Sequence, residues 1–206
     1  MKTKSKALLL ALCAVLLVAA SVLGTLAYLT SDDQVTNTFT VGSVTITLDE
    51  AQVNPYGKPA HKNVDDQGNV TYEECELEAA ERVKGNEYKL IPGHTYTKDP
   101  TITVGPESEN CWLFAKIENG LSTSGTIVVN ENWDPIDVAN NVYAYKTVAS
   151  ADDKVTVFNA FTFAGDANPN TYMDNQIVVT AYAVQADGFN TASEAWNATF
   201  GAPAEG

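Results

Sequence analysis

The chain has 206 residues, with 12 Lys and Arg against 26 Asp and Glu and a formal net charge of −14. That length suits one domain of ordinary size plus a leader. So acidic a body is repelled by nucleic acid and by anionic membranes, which excludes both as partners of the exported domain.

Lys2, Lys4 and Lys6 precede an apolar run from Ala7 to Ala20 that continues weakly through Val22, Leu23 and Leu26. This is the basic n-region and apolar h-region of a secretory signal peptide. The run also approaches the roughly 20 residues that a membrane-spanning helix needs, so an uncleaved anchor is the alternative. Thr25 and Ala27 put small residues where a signal peptidase wants them for a cut between Ala27 and Tyr28, and the sequence beyond is polar. Cleavage there would leave 179 residues carrying 9 basic and 26 acidic groups, a net charge of −17, secreted and no longer attached to a membrane. Cys13 follows Leu12 where lipoprotein signals require a small residue, which argues against lipidation.

From Thr36 the apolar positions alternate with a period of two, the mark of half-buried strands. Phe39 and Val41 share one parity, and Val44, Ile46 and Leu48 share the other. A glycine at the parity break predicts one bent strand with a β-bulge at Gly42. Residues 50–90 form a polar excursion that is expected to project from the domain. Within it, "ECELEAAERVK" (74–84) has the composition of a short helix and "DDQGN" (65–69) reads as a hairpin tip. The tip lacks the full ligand set and distal Glu of an EF-hand loop; no cofactor is expected, and weak calcium binding stays open for so acidic an exterior.

Further strands are expected at 94–104, 111–118, 126–129, 142–148, 154–163 and 176–185, separated by Gly-, Pro-, Asn- and Asp-rich segments such as "NENWDP". Many short strands between turn signals predict an all-β, Ig-like antiparallel sandwich following the N-terminal signal helix. Thr191 and Glu194 have capping-box spacing, predicting a short C-terminal helix anchored by Trp196, and 201–206 reads as a flexible tail. The layout is therefore a signal peptide (1–27), an N-terminal arm (28–41), a sandwich (42–200) and the tail.

Catalytic chemistry is sparse. There is no H-E-x-x-H, phosphate loop or nucleophile elbow, and no catalytic residue or metal ligand is assigned. His61 and His94 read as solvated loop residues. Cys75, flanked by Glu73, Glu74 and Glu76, lacks the cationic surroundings that stabilise a thiolate. Outside the membrane a disulfide between Cys75 and Cys111 is permitted but not required. The sequons at 69–71 and 197–199 read as chance matches to the glycosylation pattern.

"GTLAYLTSDDQVTNTFTVGSVTITL" (24–48) resembles the leader and first strand of the TasA/camelysin family, exported by Gram-positive bacteria through a SipW-type signal peptidase. "LIPGHTYTKDPTITV" (90–104) and "TAYAVQADGFNTASEAW" (180–196) are also similar to this family, more loosely. The resemblance implies a secreted jelly-roll-like sandwich that assembles with itself into fibres of the biofilm matrix or cell surface by donor-strand complementation. Apart from the signal peptidase during export, the partner it implies is a second copy of the chain.

The physics of that step stands apart from the name, because an exposed sheet edge offers unpaired backbone groups that an extended segment can satisfy. In the arm the available anchors are Tyr28, Leu29, Val35, Phe39 and Val41. The opposing expectation is that the arm pairs within its own domain. Two other functions compete: a monomeric surface binding module, with Trp112, Trp133, Tyr143 and Tyr145 as loop contacts instead of core, and the metallo-endopeptidase label carried by part of the family, for which this chain lacks a zinc motif. With no LPxTG-type sorting signal in the sequence, retention at the wall would come from assembly or an uncleaved leader.

Overall fold

The computed structural model describes residues 43–201. The signal peptide, the arm anchors Tyr28, Leu29, Val35, Phe39 and Val41, the proposed cut at Ala27–Tyr28, the bulge at Gly42 and the last five residues lie outside this range.

The described chain is an all-β antiparallel sandwich with one short C-terminal helix. Its first layer orders strands β11 (Lys154–Thr156), β6 (Thr101–Val104), β1 (Ile46–Ala51) and β4 (Arg82–Val83). The second orders β13 (Ile177–Gln185), β7 (Cys111–Asn119), β10 (Val142–Tyr145) and β9 (Trp133–Asp137). Between them lies a core in which Ile102 and Val104 of β6 meet Leu113, Ala115 and Ile117 of β7, with Trp133, Val155 and Phe158. The opposite face of the second sheet presents Trp112, Phe114, Val142 and Ala144 to the helix α1 (Ala192–Phe200).

Strand β7 is therefore covered on both faces. This explains why "CWLFA" is a continuous apolar run and not an alternating one.

A third sheet orders β5 (Thr95–Thr97), β12 (Phe158–Phe163) and β8 (Gly125–Val129). The segments expected as single strands at 94–104 and 154–163 are each broken, at Lys98–Pro100 and at Val157. They stay paired across the break, where Val157 N–H donates to Pro100 C=O at 2.9 Å and Lys98 N–H to Asn159 C=O at 3.2 Å. Pro100 has no N–H to give to a ladder, so the two strands change partners there: β6 pairs with β1, β12 with β8.

The excursion is corrected in part. Its hairpin, β2 (Ala60–Val64) with β3 (Val70–Glu74), is largely exposed and turns through 65–69, as the tip reading requires. In that turn Asn69 donates to Asp65 from both its backbone and its side chain, at 2.8 Å each, and these bonds hold the Asp65 carboxyl below its ordinary range.

The rest of the excursion is built into the body. Ala51, Val53, Asn54 and Ala60 are buried, and Gly57, at φ +76°, sits so close to Tyr96 that an added Cβ would lie 2.7 Å from its Cα. The helix expected at 74–84 is absent. Only Leu77–Ala79 makes a single 3-10 turn, and Arg82–Val83 is strand β4, paired with Glu50 and Ala51. Glu- and Ala-rich composition favours helix only weakly, and the ion pairs that Arg82 makes with Asp49 and Asp99 fix the chain in an extended form.

Strand β9 was hidden in the turn-like "NENWDP". Pro135 is tolerated there because β9 is a sheet edge. The terminal helix is capped as its sequence predicts: the Thr191 hydroxyl accepts from Glu194 N–H at 3.2 Å, while the Glu194 carboxylate accepts from Asn190 N–H at 2.9 Å. Trp196 anchors it, with ring centroids 5.0 Å from Phe114 and 5.6 Å from Tyr182.

Among the described residues Cys75 and Cys111 are free thiols. Cys111 is fully buried, its backbone bonded both ways to Ala149, whereas Cys75 is half-buried at the foot of the hairpin. Burial, helped by the Asp153 charge, pushes the Cys111 thiol up to about 11. A raised folded-state value favours the protonated form, so this contribution is intact below pH ~9 and is lost as pH climbs toward ~11. We expect native Cys75 to react with a maleimide and Cys111 to react only on unfolding. Alkaline destabilisation should be shallower in Cys111→Ala, by roughly 2 kcal/mol across that window, as read by denaturant titration at pH 8 and pH 11. Equal labelling of both thiols in the native protein would contradict this placement.

Candidate assembly edge

The longest unpartnered edge among the described residues is the outer side of β13. Over all nine of its residues this strand pairs with β7, from Ile177 opposite Asn119 to Gln185 opposite Cys111. On its other side no strand lies among the described residues. Ile177, Val179, Ala181 and Ala183 pack into the inter-sheet core, and Tyr182 and Val184 pack under α1. Val178 is exposed and the rest of the strand half-buried, yet "IVVTAYAVQ" contains no Lys, Glu, Asp or Pro.

Natural edge strands are blunted by brevity, charge, proline or a bulge. The other edges here are. The β9 edge holds Asp134, Pro135 and Asp137; β11 spans three residues and includes Lys154; β4 spans two and includes Arg82. The β8 edge is uncharged but only five residues long. β13 alone is long, uncharged and without proline.

The edge borders a groove of about 1210 Å³ between the two layers. Leu48 of β1, Tyr88 and Leu90 line it from one layer, and Ile177, Val178 and Val179 of β13 from the other. Val44, Ile46 and Leu48 belong to the same core as the inner face of β13, so the two sheets converge apolar side chains on this line. Exposed Lys84, Glu87 and Lys89 add charge of both signs. An extended segment of alternating polarity fits such a groove, with backbone groups on the β13 edge and apolar side chains inward.

The chain enters the domain at a fixed point. Glu109 N–H donates to Ser43 C=O at 3.1 Å and Thr45 N–H to the Ser108 hydroxyl at 3.0 Å, so whatever precedes Ser43 departs from the start of β1.

Other residues singled out in the sequence fall elsewhere. Trp112 and Trp133 are buried and Tyr143 and Tyr145 half-buried, with Tyr145 packed on Trp133 at 5.6 Å, so they serve the core and are not loop contacts. Of the histidines read as solvated loop residues, His61 lies on a strand, while His94 is in the loop expected for it and is half-buried. His61 is half-buried on β2, and His94 lies edge-on to Tyr96 with its Nε2 2.9 Å from the Tyr56 carbonyl. Among the described residues no three His, Cys, Asp or Glu side chains converge as a metal site.

What sequence reasoning missed is a buried polar cluster beside the groove. Lys98 Nζ donates to Glu50 Oε2 at 2.5 Å, and Asn86 Nδ2 donates to Glu50 Oε1 at 2.9 Å. Asp99 joins Arg82 at 2.5 Å and accepts from Ala51 N–H at 2.7 Å. Burial works against the Arg82 charge, but its bonds to Asp49 and Asp99 outweigh that and raise its affinity for the proton. No sequence signal marks the cluster, since its members lie on three separate stretches, 49–51, 82–86 and 98–99.

Comparison with protein-family models, with curated proteins and with solved structures finds no match, so the functional reading rests on this chain's own residues and geometry.

Proposed function

We propose that the protein is a secreted structural subunit, of the kind its leader resembles in the TasA/camelysin family, that polymerises into fibres outside the cell. After release at Ala27–Tyr28, residues 28–41 of one copy add as a strand to the β13 edge of the next.

The observation that carries this reading is the nine-residue, uncharged, proline-free edge of β13 beside a groove of mixed polar and apolar lining. Left bare, such an edge is an aggregation site; a sequence that keeps it unguarded is explained by a designated strand to cover it. The arm suits the role. Val35, Phe39 and Val41 share one parity and so present one apolar face when extended, while the Asp-rich stretch before them keeps the free arm soluble.

The test is removal of residues 28–41. On this reading it stops filament growth and leaves the sandwich folded; filaments from the truncated chain would overturn it.

A further inference from the structure

We propose that Lys98 and Asn86 become joined by an intramolecular isopeptide bond, with Glu50 as the group that moves the proton. This rests on the buried cluster and is independent of the assembly reading.

The reacting groups are held by one carboxylate. Glu50, 4% exposed, accepts from Lys98 Nζ on Oε2 and from Asn86 Nδ2 on Oε1, at 2.5 and 2.9 Å. Nucleophile and leaving nitrogen are thus bridged by the two oxygens of a single carboxylate, which holds both groups at one place in the fold before any reaction. The electrophile is also oriented: Asn86 Oδ1 accepts from Val53 N–H at 2.9 Å and Nδ2 donates to Ala51 C=O at 2.9 Å, so the amide cannot rotate and its carbonyl is polarised by a backbone donor.

The carboxylate and the amine are buried, while Asn86 is half-buried where the cluster borders the groove. Lys98 is 9% exposed, and the neighbouring Tyr88, whose hydroxyl donates to Thr97 C=O at 3.1 Å, has its phenol pushed up by burial and by the Glu50 and Asp99 charges.

The step balances without any co-reactant. Lys98 gives a proton to Glu50; its free amine attacks Asn86 Cγ while Val53 N–H stabilises the developing oxyanion. Glu50 returns the proton to the departing Nδ2, the Cγ–Nδ2 bond breaks, and the Nζ–Cγ amide remains. Ammonia leaves, taking up the second proton lost by Nζ to go as ammonium. The product ties β4's exit loop to the segment between β5 and β6, on either side of β1.

The experiment is peptide mapping with intact mass on the folded, purified chain. The expected result is a mass lower than the sequence requires by one ammonia, with a tryptic species in which residues 85–89 are joined to 90–116 through Lys98, uncleaved at that lysine. Glu50→Gln should show the full mass, with circular dichroism reporting whether it folds. A wild-type chain of full mass overturns the proposal whether or not the variant folds. So does an ammonia loss that maps to Asn119–Gly120, where a succinimide would give the same deficit. A folded Glu50→Gln chain that still carries the 86–98 link removes Glu50 from the step.

Discussion

Deleting residues 28–41 is expected to abolish filaments in the electron microscope and to leave thermal unfolding of the domain almost unchanged, within about 0.5 kcal/mol. Fully extended, the fourteen residues of the arm reach roughly 46–50 Å, whereas the nine residues of β13 span about 30 Å. The arm can therefore cover the whole edge with chain left to cross between subunits. Val35, Phe39 and Val41 would each contribute about 1.5–3 kcal/mol on burial, and the ordering cost of association, several kcal/mol, consumes part of this. Without the arm no favourable term remains to oppose that cost, so the loss is complete and not graded. If the arm were instead the domain's own first strand, the same deletion would destabilise the fold by several kcal/mol.

Asp99→Ala is expected to cost about 3–4 kcal/mol of folding stability, a large fraction of the 5–15 kcal/mol typical of a domain. The Asp99 carboxylate accepts from Ala51 N–H at 2.7 Å and pairs with Arg82 at 2.5 Å, and Thr101 donates to its carbonyl at 2.8 Å. The side chain thus ties β4 to β1, whereas the Thr101 bond is to the backbone and is kept in the variant. Removing it strands a buried N–H, costing about 1–3 kcal/mol, and takes away one of the two anions around Arg82. The penalty stays at the low end of the range for broken buried pairs because Arg82 keeps Asp49 at 2.7 Å and its side chain is 36% exposed. Asp99→Asn, which can still accept from Ala51, should cost less. Equal stability of Asp99→Ala and wild type in a urea titration would contradict the role given to this network.

The fold was legible where a single residue pattern decides an element. Strands β7, β10 and β13 were readable because their apolar content is dense and their ends carry Asn, Gly or Asp. The helix α1 was readable from Thr191 and Glu194 alone. Residues 74–84 misled because Glu and Ala favour helix by a few tenths of a kcal/mol each, less than the ion pairs that draw Arg82 into a strand.

The site was less legible than the fold. The strand at 176–185 could be read, but not that it is an edge, because strand order follows from pairings far apart in sequence. Glu50 lies 36 residues from Asn86 and 48 from Lys98, so nothing local marks their meeting.

Hydrogen exchange of β13 as a function of protein concentration tests the central claim most directly. In the chain beginning at Tyr28, amides of Ile177–Gln185 should gain protection as concentration rises and filaments form, and the chain lacking residues 28–41 should show no gain. Protection of this strand that is already full at the lowest concentration, and that falls when the arm is deleted, would mean that the arm pairs in its own sheet and would contradict the account.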